Sequence, residues 1–557
     1  MYNFFEKKIP RTQRNQKKME VIEKEGERLL SEAIKSLSFS KYKLFYETGN
    51  RFQYEGQQME HRRRLAIMAS MALWSEDKKW IEALEDTLWA ICDEFTWDFP
   101  AHIKQTATPD ECATVMALFS AETAMALSEV LYLLEERLHP MVYNRVLHEL
   151  RRRTIEPHIT DVYTYRSNWS VVCACGVGFT IMYHGTREEF EKAKDSLIKS
   201  AYDFLDSYTE DGCCLEGPTY WAYGFSHFVF LASMLREYTE GEIDLFKSEK
   251  VKNIALYPQR TSLEEDFVIP FGDATHRYKF EYCVMNFLNH EYEEFVLPAP
   301  DMMPLHEYSD KRDRFGRFVR DFFWTEEVLP SKEGANAVAE RAHIFEQSQQ
   351  CVRRYKDFIF AAKGGYNSEP HNHNDMGSFI IFSDKKYQLD DLGWAEYDNK
   401  YFTAQRYESL CASSLGHSVP IVNGKAQKPG REAQAVASYG EDYFGLDMTA
   451  AYDIDKVTRT FRFKTENGLV IEDSFESENL QITERFVTRE VPKICGDVVK
   501  IGKLTIKSKQ PCRIQLSQQE FYPRALGDLN EKETAYLIDF IYEEAKEHME
   551  IGIDILM

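Results

Sequence analysis

Two histidines and a carboxylate lie close together in the segment PHNHNDMGSF, which covers residues 370–379. If the segment is extended, His371 and His373 point to the same side, because side chains alternate along a strand. Imidazole and carboxylate groups at this spacing can bind a metal ion or transfer protons. A polar loop in which the histidines make ordinary hydrogen bonds is an equally good interpretation of the segment alone.

Two later segments favour the metal interpretation. Asp390 and Asp391 end the next short apolar strand, and His417 begins a further one. Together with His373, one Asp of the pair and His417 supply two nitrogens and one oxygen, and a water would complete a four-coordinate zinc site. Taken singly, His417 is also consistent with a hydrogen-bonded core histidine, and the Asp pair with a turn.

The first half of the chain carries clusters of aromatic and polar residues beside turn signals. Trp and Tyr have large, flat faces that can stack on sugar rings. Ordinary helix packing accounts for most such residues in a chain that is 14% aromatic, but the adjacent turns place these clusters at helix ends, where a helical barrel forms its cleft. The clusters contain Trp97 and His102; Tyr163, Tyr165, Arg166, Asn168 and Trp169; and Glu216, Tyr220, Trp221 and Tyr223.

These clusters need a helical scaffold, and the hydrophobic period of the first half supplies one. Amphipathic patterns predict helices over 15–37, 58–74, 77–94, 109–135, 137–154, 170–184, 187–208 and 219–239. Helices of these lengths with short connections predict helical hairpins packed in layers. Prolines at 298, 300 and 304 break the pattern.

From about residue 350 the pattern changes to short apolar or alternating strands. Residues 458–463 and 469–475 flank Asn467-Gly468, which predicts a hairpin. Further strands are predicted over 358–361, 379–382, 482–488, 498–506 and 512–516. Because helices and strands are segregated, the sequence predicts separate domains, a helical one over 1–340 and an antiparallel β-sandwich over 341–557.

The composition narrows the classes of partner. With 68 basic and 91 acidic residues the formal net charge is −23, which argues against nucleic acid as the main partner. No apolar run approaches the ~20 residues that span a bilayer, so no membrane partner is expected. The sequence starts without a signal-peptide pattern and carries 11 Cys, which predicts a cytoplasmic protein with reduced thiols.

Taken together, these segments resemble the heparinase II/III family of polysaccharide lyases. The resemblance covers roughly residues 90–430. It implies an α/α toroid, which is an incomplete helical barrel, followed by an antiparallel β-sandwich, with the cleft between them. The segments that carry it are HNHNDMGSF at 371–379, DLG at 391–393, GH at 416–417, RSNW at 166–169, DG at 211–212 and EGPTY at 216–220.

The resemblance implies cleavage of uronic-acid glycans by β-elimination. Asn168 would hold the uronate carboxylate and spread its charge. Tyr220 would protonate the leaving O4, or act as both base and acid where the sugar stereochemistry allows it. His371 would be the partner base or would polarise the carboxylate. The spacing from Asn168 does not decide between Tyr220 and Tyr223 as the reacting phenol.

The resemblance also implies one structural zinc ion per chain, held by His373, Asp391 and His417. The D-x-G pattern favours Asp391 over Asp390 as the ligand. The implied partner is an anionic uronate oligosaccharide or polysaccharide, glycosaminoglycan- or alginate-like, whereas the oligomeric state is left open. The residues expected to contact this substrate are Trp97, His102, Arg166, Trp169, Glu216 and Tyr223.

Two other functions compete with a lyase. A glycoside hydrolase on a helical barrel needs two facing carboxylates, which Asp98, Asp211 or Glu216 could supply. It would leave the His, Asn and Tyr set without a role. A non-catalytic carbohydrate-binding protein could keep the same fold, because a fold does not guarantee an activity.

Overall fold

The structure is a computed structural model. It describes residues 7–161, 167–298, 314–325, 341–395, 401, 403–465, 467–523 and 531–557. Contacts divide the chain into two compact units. The helical unit comprises 1–207, 222–255 and 279–336, and the sheet unit comprises 208–221, 256–278 and 337–557. Two segments of the sequence before residue 340 therefore belong by contact to the sheet unit.

Helices account for most of the described part of the helical unit. Neighbouring helices pack in pairs, such as α4 with α5 and α10 with both α7 and α11. Helix α12 starts in the sheet unit and continues into the helical unit, and α14 belongs to the sheet unit. The described helices are α1 Gln13–Leu30, α2 Phe39–Tyr42, α3 Leu44–Thr48, α4 Phe52–Trp74, α5 Lys78–Cys92, α6 Pro109–Thr114, α7 Leu118–Leu134, α8 Pro140–Leu150, α9 Glu156–His158, α10 Asn168–His184, α11 Arg187–Leu205, α12 Pro218–Tyr238, α13 Glu249–Ala255, α14 Tyr257–Thr261, α15 Tyr282–Glu291 and α16 Phe315–Phe323.

One predicted helix, 109–135, forms two. The break follows from a local hydrogen bond, because the Ser120 hydroxyl accepts from the backbone N–H of Ala117 and so starts α7 anew. Asp98 adds a second bond by accepting from the Ser120 N–H. Among the helices that the structure describes, none is both long and apolar enough to cross a membrane.

The sheet unit contains antiparallel sheets. The strands are β1 Ala342–Phe345, β2 Gln350–Arg354, β3 Ile359–Lys363, β4 Tyr366–Asn367, β5 Phe379–Ser383, β6 Lys386–Leu389, β7 Pro420–Val422, β8 Gly430–Gln434, β9 Val436–Tyr439, β10 Tyr443–Asp447, β11 Lys456–Thr465, β12 Gly468–Thr488, β13 Lys493–Cys495, β14 Val498–Ile501, β15 Leu504–Ser508, β16 Arg513–Phe521 and β17 Glu533–Leu556. The smaller main sheet has the order β1-β2-β3-β5-β6. The larger has the order β13-β14-β15-β17-β12-β11-β10-β9, with β16 also on β17 and β7 on β12. A third, two-stranded sheet pairs β4 with β8.

The predicted hairpin is present as β11 and β12, which pair from Lys456 with Glu476 to Thr465 with Gly468. The strand predicted at 482–488 is the second half of the long β12, and the one at 498–506 is divided into β14 and β15. Within each half of β12 the buried positions recur every second residue, at 471, 473 and 475 and again at 480, 482, 484 and 486, and the phase changes at the irregularity between Glu476 and Leu480.

The two larger sheets share one apolar core. Phe360 on β3 and Phe379 on β5 lie with ring centroids 5.1 Å and 5.2 Å from Phe461 on β11. The alternate residues of β3 and β5 face the other way and form a second cluster with residues 267–271. The segment 256–278 is thereby packed on the outer face of the smaller sheet, which brings residues 271–276 towards the loops at its edge.

Candidate functional site

Tyr220 lies in the first turn of α12. The turn before it requires glycine, since Gly217 has φ +89° and a Cβ there would come within 2.8 Å of the Ala274 Cβ. Pro218 then occupies the first turn of the helix, where its missing N–H costs nothing. The local sequence thus fixes the entry of α12 and the position of Tyr220.

His371 lies in the loop between β4 and β5. Its φ of +54° is uncommon for a residue with a side chain, and such conformations often occur at functional sites. The loop is held by bonds on both sides of the histidine. The Asn372 N–H donates to the Glu369 carbonyl at 3.1 Å, and the Asn374 N–H donates to the Ala412 carbonyl at 2.9 Å.

The phenol and the imidazole meet face to face. The rings of Tyr220 and His371 have centroids 4.4 Å apart and planes inclined by 29°. The phenol oxygen lies 3.5 Å from the His371 Nδ1, at the outer limit of a hydrogen bond. Trp394 meets the Tyr220 ring edge-on at 6.5 Å. A proton donor and a proton acceptor are therefore present at one place in the sheet unit.

Asp273 is fully buried behind this pair and accepts hydrogen bonds from two histidines. His371 Nδ1 lies 2.7 Å from Oδ2, and His373 Nε2 lies 3.1 Å from Oδ1. The Tyr401 hydroxyl donates to the same carboxylate. Burial by itself raises the pKa of Asp273, but the hydrogen bonds and charges of the two histidines outweigh it and hold that pKa well below its usual range.

Glu216 is a second carboxyl beside His371. Its Oε2 lies 3.8 Å from the His371 Nε2. Burial raises the pKa of Glu216, the charge of His371 opposes that rise and the charge of Asp273 adds to it. The net effect is a carboxyl that holds its proton more readily than an exposed glutamate does.

His373, Asp391 and His417 form a second cluster, and all three side chains are fully buried. One ligand atom of each lies within 4.8 Å of the others. The His417 Nδ1 lies 3.1 Å from the Asp391 Oδ2, and neither of these atoms, nor the His373 Nδ1, makes a well-aligned hydrogen bond to another described residue. Two imidazoles and a carboxylate that converge in the interior without well-aligned hydrogen bonds fit a bound metal ion.

The other polar atoms of the cluster are oriented from outside. Besides the bond from His373 to Asp273, the His417 Nε2 lies 2.7 Å from the Cys411 carbonyl and the Gly393 N–H donates to the Asp391 Oδ1 at 2.9 Å. Such bonds orient the ligands of metal sites. Burial raises the pKa of Asp391, but the contact and charge of His417, the charge of His373 and the hydrogen bond from the Gly393 N–H together outweigh it and lower the pKa to about 2.

The contact between Asp391 and His417 shifts the pKa of the imidazole in the opposite direction. Burial lowers the pKa of His417, but the Asp391 carboxylate, the charge of Asp375 and the bond to the Cys411 carbonyl together outweigh that effect, and the net pKa is raised. Asp390 is turned elsewhere, because its Oδ1 lies 2.9 Å from the His276 Nε2 and its Oδ2 accepts from Arg489. The geometry thus favours Asp391 over Asp390 as the third ligand.

The helical unit holds the remaining predicted site residues. Asn168 is the first residue of α10, and its Cβ would lie 3.1 Å from a Cβ placed on Gly224. His102 and Trp169 meet edge to face at 4.9 Å, and the His102 Nδ1 contacts the Asp98 carboxylate. Arg166 lies outside the described residues.

Trp97 and Tyr223 are less suited to the roles expected for them. Trp97 is only 2% exposed, and its indole N–H donates to the Ile91 carbonyl at 3.0 Å, so its geometry supports packing and not sugar stacking. The Tyr223 ring lies 5.1 Å from the His227 ring and 5.0 Å from the Arg314 guanidinium, in the helical unit. The other candidate phenol, Tyr220, contacts His371.

Two carboxylates that a hydrolase could recruit have structural partners. The Asp211 Oδ2 accepts from the backbone N–H groups of Gln347 and Ser348, at 2.8 Å and 3.1 Å. Asp98 is fully buried and accepts from the backbone N–H groups of Phe99 and Ser120. Both therefore hold the chain in place, which weakens the hydrolase interpretation.

Sequence reasoning missed Asp273 and Tyr401. Asp273 stands in a Phe-Gly-Asp-Ala stretch with no histidine beside it, and its partners lie 98 to 128 positions further on. The pair Gly272-Asp273 after an apolar run indicates a turn and gives no local sign of these contacts.

Comparisons with known proteins bear on the fold. No family model matches the sequence, and no curated protein is significantly similar to it. Heparan sulfate lyase HepC from Pedobacter heparinus superposes with a TM-score of 0.62 at 13% identity, covering 96% of this chain and 82% of that one. A heparinase III crystal structure gives a TM-score of 0.63 at 13% identity, with 91% and 78% of the two chains covered.

A chondroitin AC lyase of Streptomyces coelicolor A3, solved in complex with chondroitin sulphate, superposes with a TM-score of 0.57 at 10% identity. It covers 97% of this chain and 79% of that one. These matches confirm the predicted fold class, an α/α toroid followed by an antiparallel β-sandwich, and the resemblance to the heparinase fold.

Proposed function

We propose that the protein is a polysaccharide lyase that cleaves uronic-acid glycans by β-elimination. The observation that carries the proposal is the stacked pair of Tyr220 and His371 next to the buried Asp273. A phenol and an imidazole at one place are the groups that a proton-abstraction reaction needs. The fold supports the same conclusion, because it is shared with heparan sulfate and chondroitin lyases.

Elimination breaks the C5–H and C4–O4 bonds of the uronate, forms a C4=C5 double bond and gives a proton to the departing O4. His371 would take the C5 proton, because an imidazole accepts protons near neutral pH. Tyr220 would give its proton to O4, because a phenol keeps its proton at that pH. For a uronate whose stereochemistry places both atoms on its side, Tyr220 would perform both transfers.

The C5 proton is only weakly acidic while the neighbouring carboxylate keeps its full charge. An amide donor directed at that carboxylate would stabilise the enolate-like intermediate. We assign this role to Asn168, at the start of α10. His102 and Trp169 would contact the sugar from the same unit, since they pack against each other and are only partly buried.

We infer that His373, Asp391 and His417 hold one zinc ion per chain. Two imidazole nitrogens and one carboxylate oxygen form a suitable donor set, and they converge within 4.8 Å without a well-aligned hydrogen bond to any other described residue. When bound, the ion would supply a structural cross-link between the loop of His373 and the segments of Asp391 and His417. It would thereby fix the loop that carries His371.

The test is turnover of purified protein on a panel of heparan sulfate, heparin, chondroitin sulfate, hyaluronan and alginate. A lyase leaves an unsaturated uronate end, so near-ultraviolet absorbance should rise with at least one polymer. New reducing ends without absorbance would support the hydrolase instead. Binding without turnover would support a carbohydrate-binding protein.

A further inference from the structure

One buried carboxylate contacts two histidines through different ring nitrogens. Asp273 meets His371 at Nδ1 and His373 at Nε2, at 2.7 Å and 3.1 Å. The two histidines have separate tasks in the proposed function, since one is a candidate base and the other a candidate metal ligand. A single side chain therefore bears on both parts of the site.

The hydrogen-bond roles follow from the chemistry of a carboxylate. An ionised carboxylate only accepts, so each nitrogen that faces Asp273 has to carry the hydrogen. A neutral imidazole has one N–H, which leaves the lone pair on the other nitrogen. His371 is then protonated at Nδ1 with its lone pair on Nε2, and His373 is protonated at Nε2 with its lone pair on Nδ1.

Both lone pairs are placed where the proposed function needs them. The Nδ1 of His373 has no hydrogen-bond partner among the described residues, and because Nε2 faces Asp273 it is the nitrogen left for a metal ion shared with Asp391 and His417. The Nε2 of His371 is on the side of Glu216, away from Asp273. With the opposite tautomers, His373 would present an N–H to the metal position and His371 would present one to the substrate.

We propose that Asp273 is a positioning residue that sets the tautomers of His371 and His373 together, preparing one to accept a proton and the other to bind a metal ion. This inference rests on the proposed function. It adds a residue that acts through the two histidines and links metal binding to the proton-transfer pair.

Asp273 can play this part because it is itself held in place. The Tyr401 hydroxyl donates to the carboxylate, and the Arg406 guanidinium lies 3.6 Å from Oδ1 and 3.2 Å from the Tyr401 oxygen. The backbone is held by residues 267–271 in the second apolar cluster. A carboxylate fixed in this way selects the rotation of both rings as well as their tautomers.

The first experiment needs no change at Asp273. Protein labelled with ¹⁵N-histidine is studied by long-range ¹H–¹⁵N NMR, and His371→Gln and His373→Gln identify the two sets of signals. We expect the Nδ1–H form for His371 and the Nε2–H form for His373, with or without added Zn²⁺. An Nε2–H form of His371, or an Nδ1–H form of His373 in the metal-free protein, overturns the proposal.

The second experiment compares Asp273→Asn with the wild type. An asparagine side chain can accept on one side only and has to donate on the other, so at least one histidine should change its tautomer. Zinc affinity should fall by about 10–100-fold, as on loss of a bond that orients a ligand. On an active substrate kcat should fall by at least about 100-fold, with KM changed much less. Retention of both tautomers and of zinc affinity in D273N contradicts the proposal.

Two controls separate positioning from general damage. Glu94→Gln also removes a buried carboxylate that contacts a histidine, His61, but in the helical unit, so it should lower stability and leave both tautomers and zinc affinity unchanged. Tyr401→Phe keeps the carboxylate and should keep both tautomers. If no polymer is turned over, the proposed function fails, and the NMR and zinc results still decide the role of Asp273.

Discussion

Tyr220 and His371 stack at 4.4 Å although 151 positions separate them in the chain. The helix start that carries Tyr220 and the loop that carries His371 both belong to the sheet unit. The contact between Tyr220 and His371 therefore lies within one unit, and single substitutions in that unit can test it.

Replacing Tyr220 by phenylalanine should lower kcat by about 10²–10⁴-fold, because the variant loses the acidic proton and keeps the stacked ring. The rise in near-ultraviolet absorbance on an active polymer measures the rate. Tyr223→Phe is the matched control, since Tyr223 lies next to His227 and Arg314 in the helical unit. Equal losses in both variants, at unchanged thermal stability, would show that the phenol of Tyr220 has no special role.

Replacing Asp391 by asparagine should remove most of the bound zinc, because the site loses its only charged ligand among the three residues. Metal analysis of protein prepared without chelator should give one zinc per chain for the wild type. Asp390→Asn is the matched neighbour, and it should keep the metal because its side chain bonds His276 and Arg489. The reverse order of zinc contents would reassign the ligand to Asp390.

His227 should make the protein sensitive to mild acid. Burial lowers the pKa of His227 to about 4, with Glu122 opposing that effect in part. The folded protein holds it neutral, whereas the unfolded chain binds a proton below ~6.5. The stability present above pH ~6.5 is therefore lost as the pH falls towards 4, by about 2 kcal/mol between pH 7 and pH 5.

The check is the free energy of unfolding in urea at pH 7 and pH 5, for the wild type and for His227→Asn. The asparagine amide can still donate to the Tyr223 carbonyl, which the His227 Nδ1 contacts at 2.7 Å. The difference between the two pH values should be smaller in the variant by about 2 kcal/mol. Parallel behaviour of the two proteins would disprove the assignment.

Replacing Arg459 should lower the stability of the sandwich strongly. It is fully buried, pairs with Asp473 and Glu484, and donates to the carbonyls of Gly377 at 3.0 Å and Ser418 at 2.8 Å. Arg459→Met leaves two buried carboxyl groups without their partner, which should cost about 3–5 kcal/mol in the free energy of unfolding.

Arg462→Met is the matched control for that experiment. Arg462 lies on the same strand, but it and its partner Glu472 are each more than a third exposed, so the loss should be about 0–1 kcal/mol. Urea unfolding measures both variants. A similar cost at the two positions would mean that the buried network adds little to stability.

Much of this organisation follows from local sequence. Hydrophobic period predicts α11 and, as two separate strands over 469–475 and 482–488, the two ends of β12; that they form one continuous strand was not predicted. The loop that carries His371 and His373 and the D-x-G turn at Asp391 can be recognised in the sequence from their residue types. The division of 109–135 into α6 and α7 was not predicted, since the local bond between Ala117 and Ser120 is joined there by a bond from the Ser120 N–H to Asp98, 22 positions earlier.

In the candidate site, too, some residues can be predicted from local sequence and others cannot. His371, His373 and His417 can be found from their types and spacing. Asp273 could not, because a single Asp after Gly gives no local sign that two histidines about a hundred positions later will donate to it. Trp97 shows the converse, since a tryptophan in a polar run suggests a sugar platform until its burial is known.

The two inserted segments, 208–221 and 256–278, carry Tyr220 and Asp273 into the sheet unit. A fragment beginning at residue 341 would retain the three proposed zinc ligands and lose both the phenol of Tyr220 and the carboxylate of Asp273. Recombination between related genes that exchanged only the C-terminal half would separate groups that have to fit one another. These two segments and the sandwich are therefore expected to be inherited together. A chimaera joined at residue 340 should lose more of its catalytic activity than of its thermal stability.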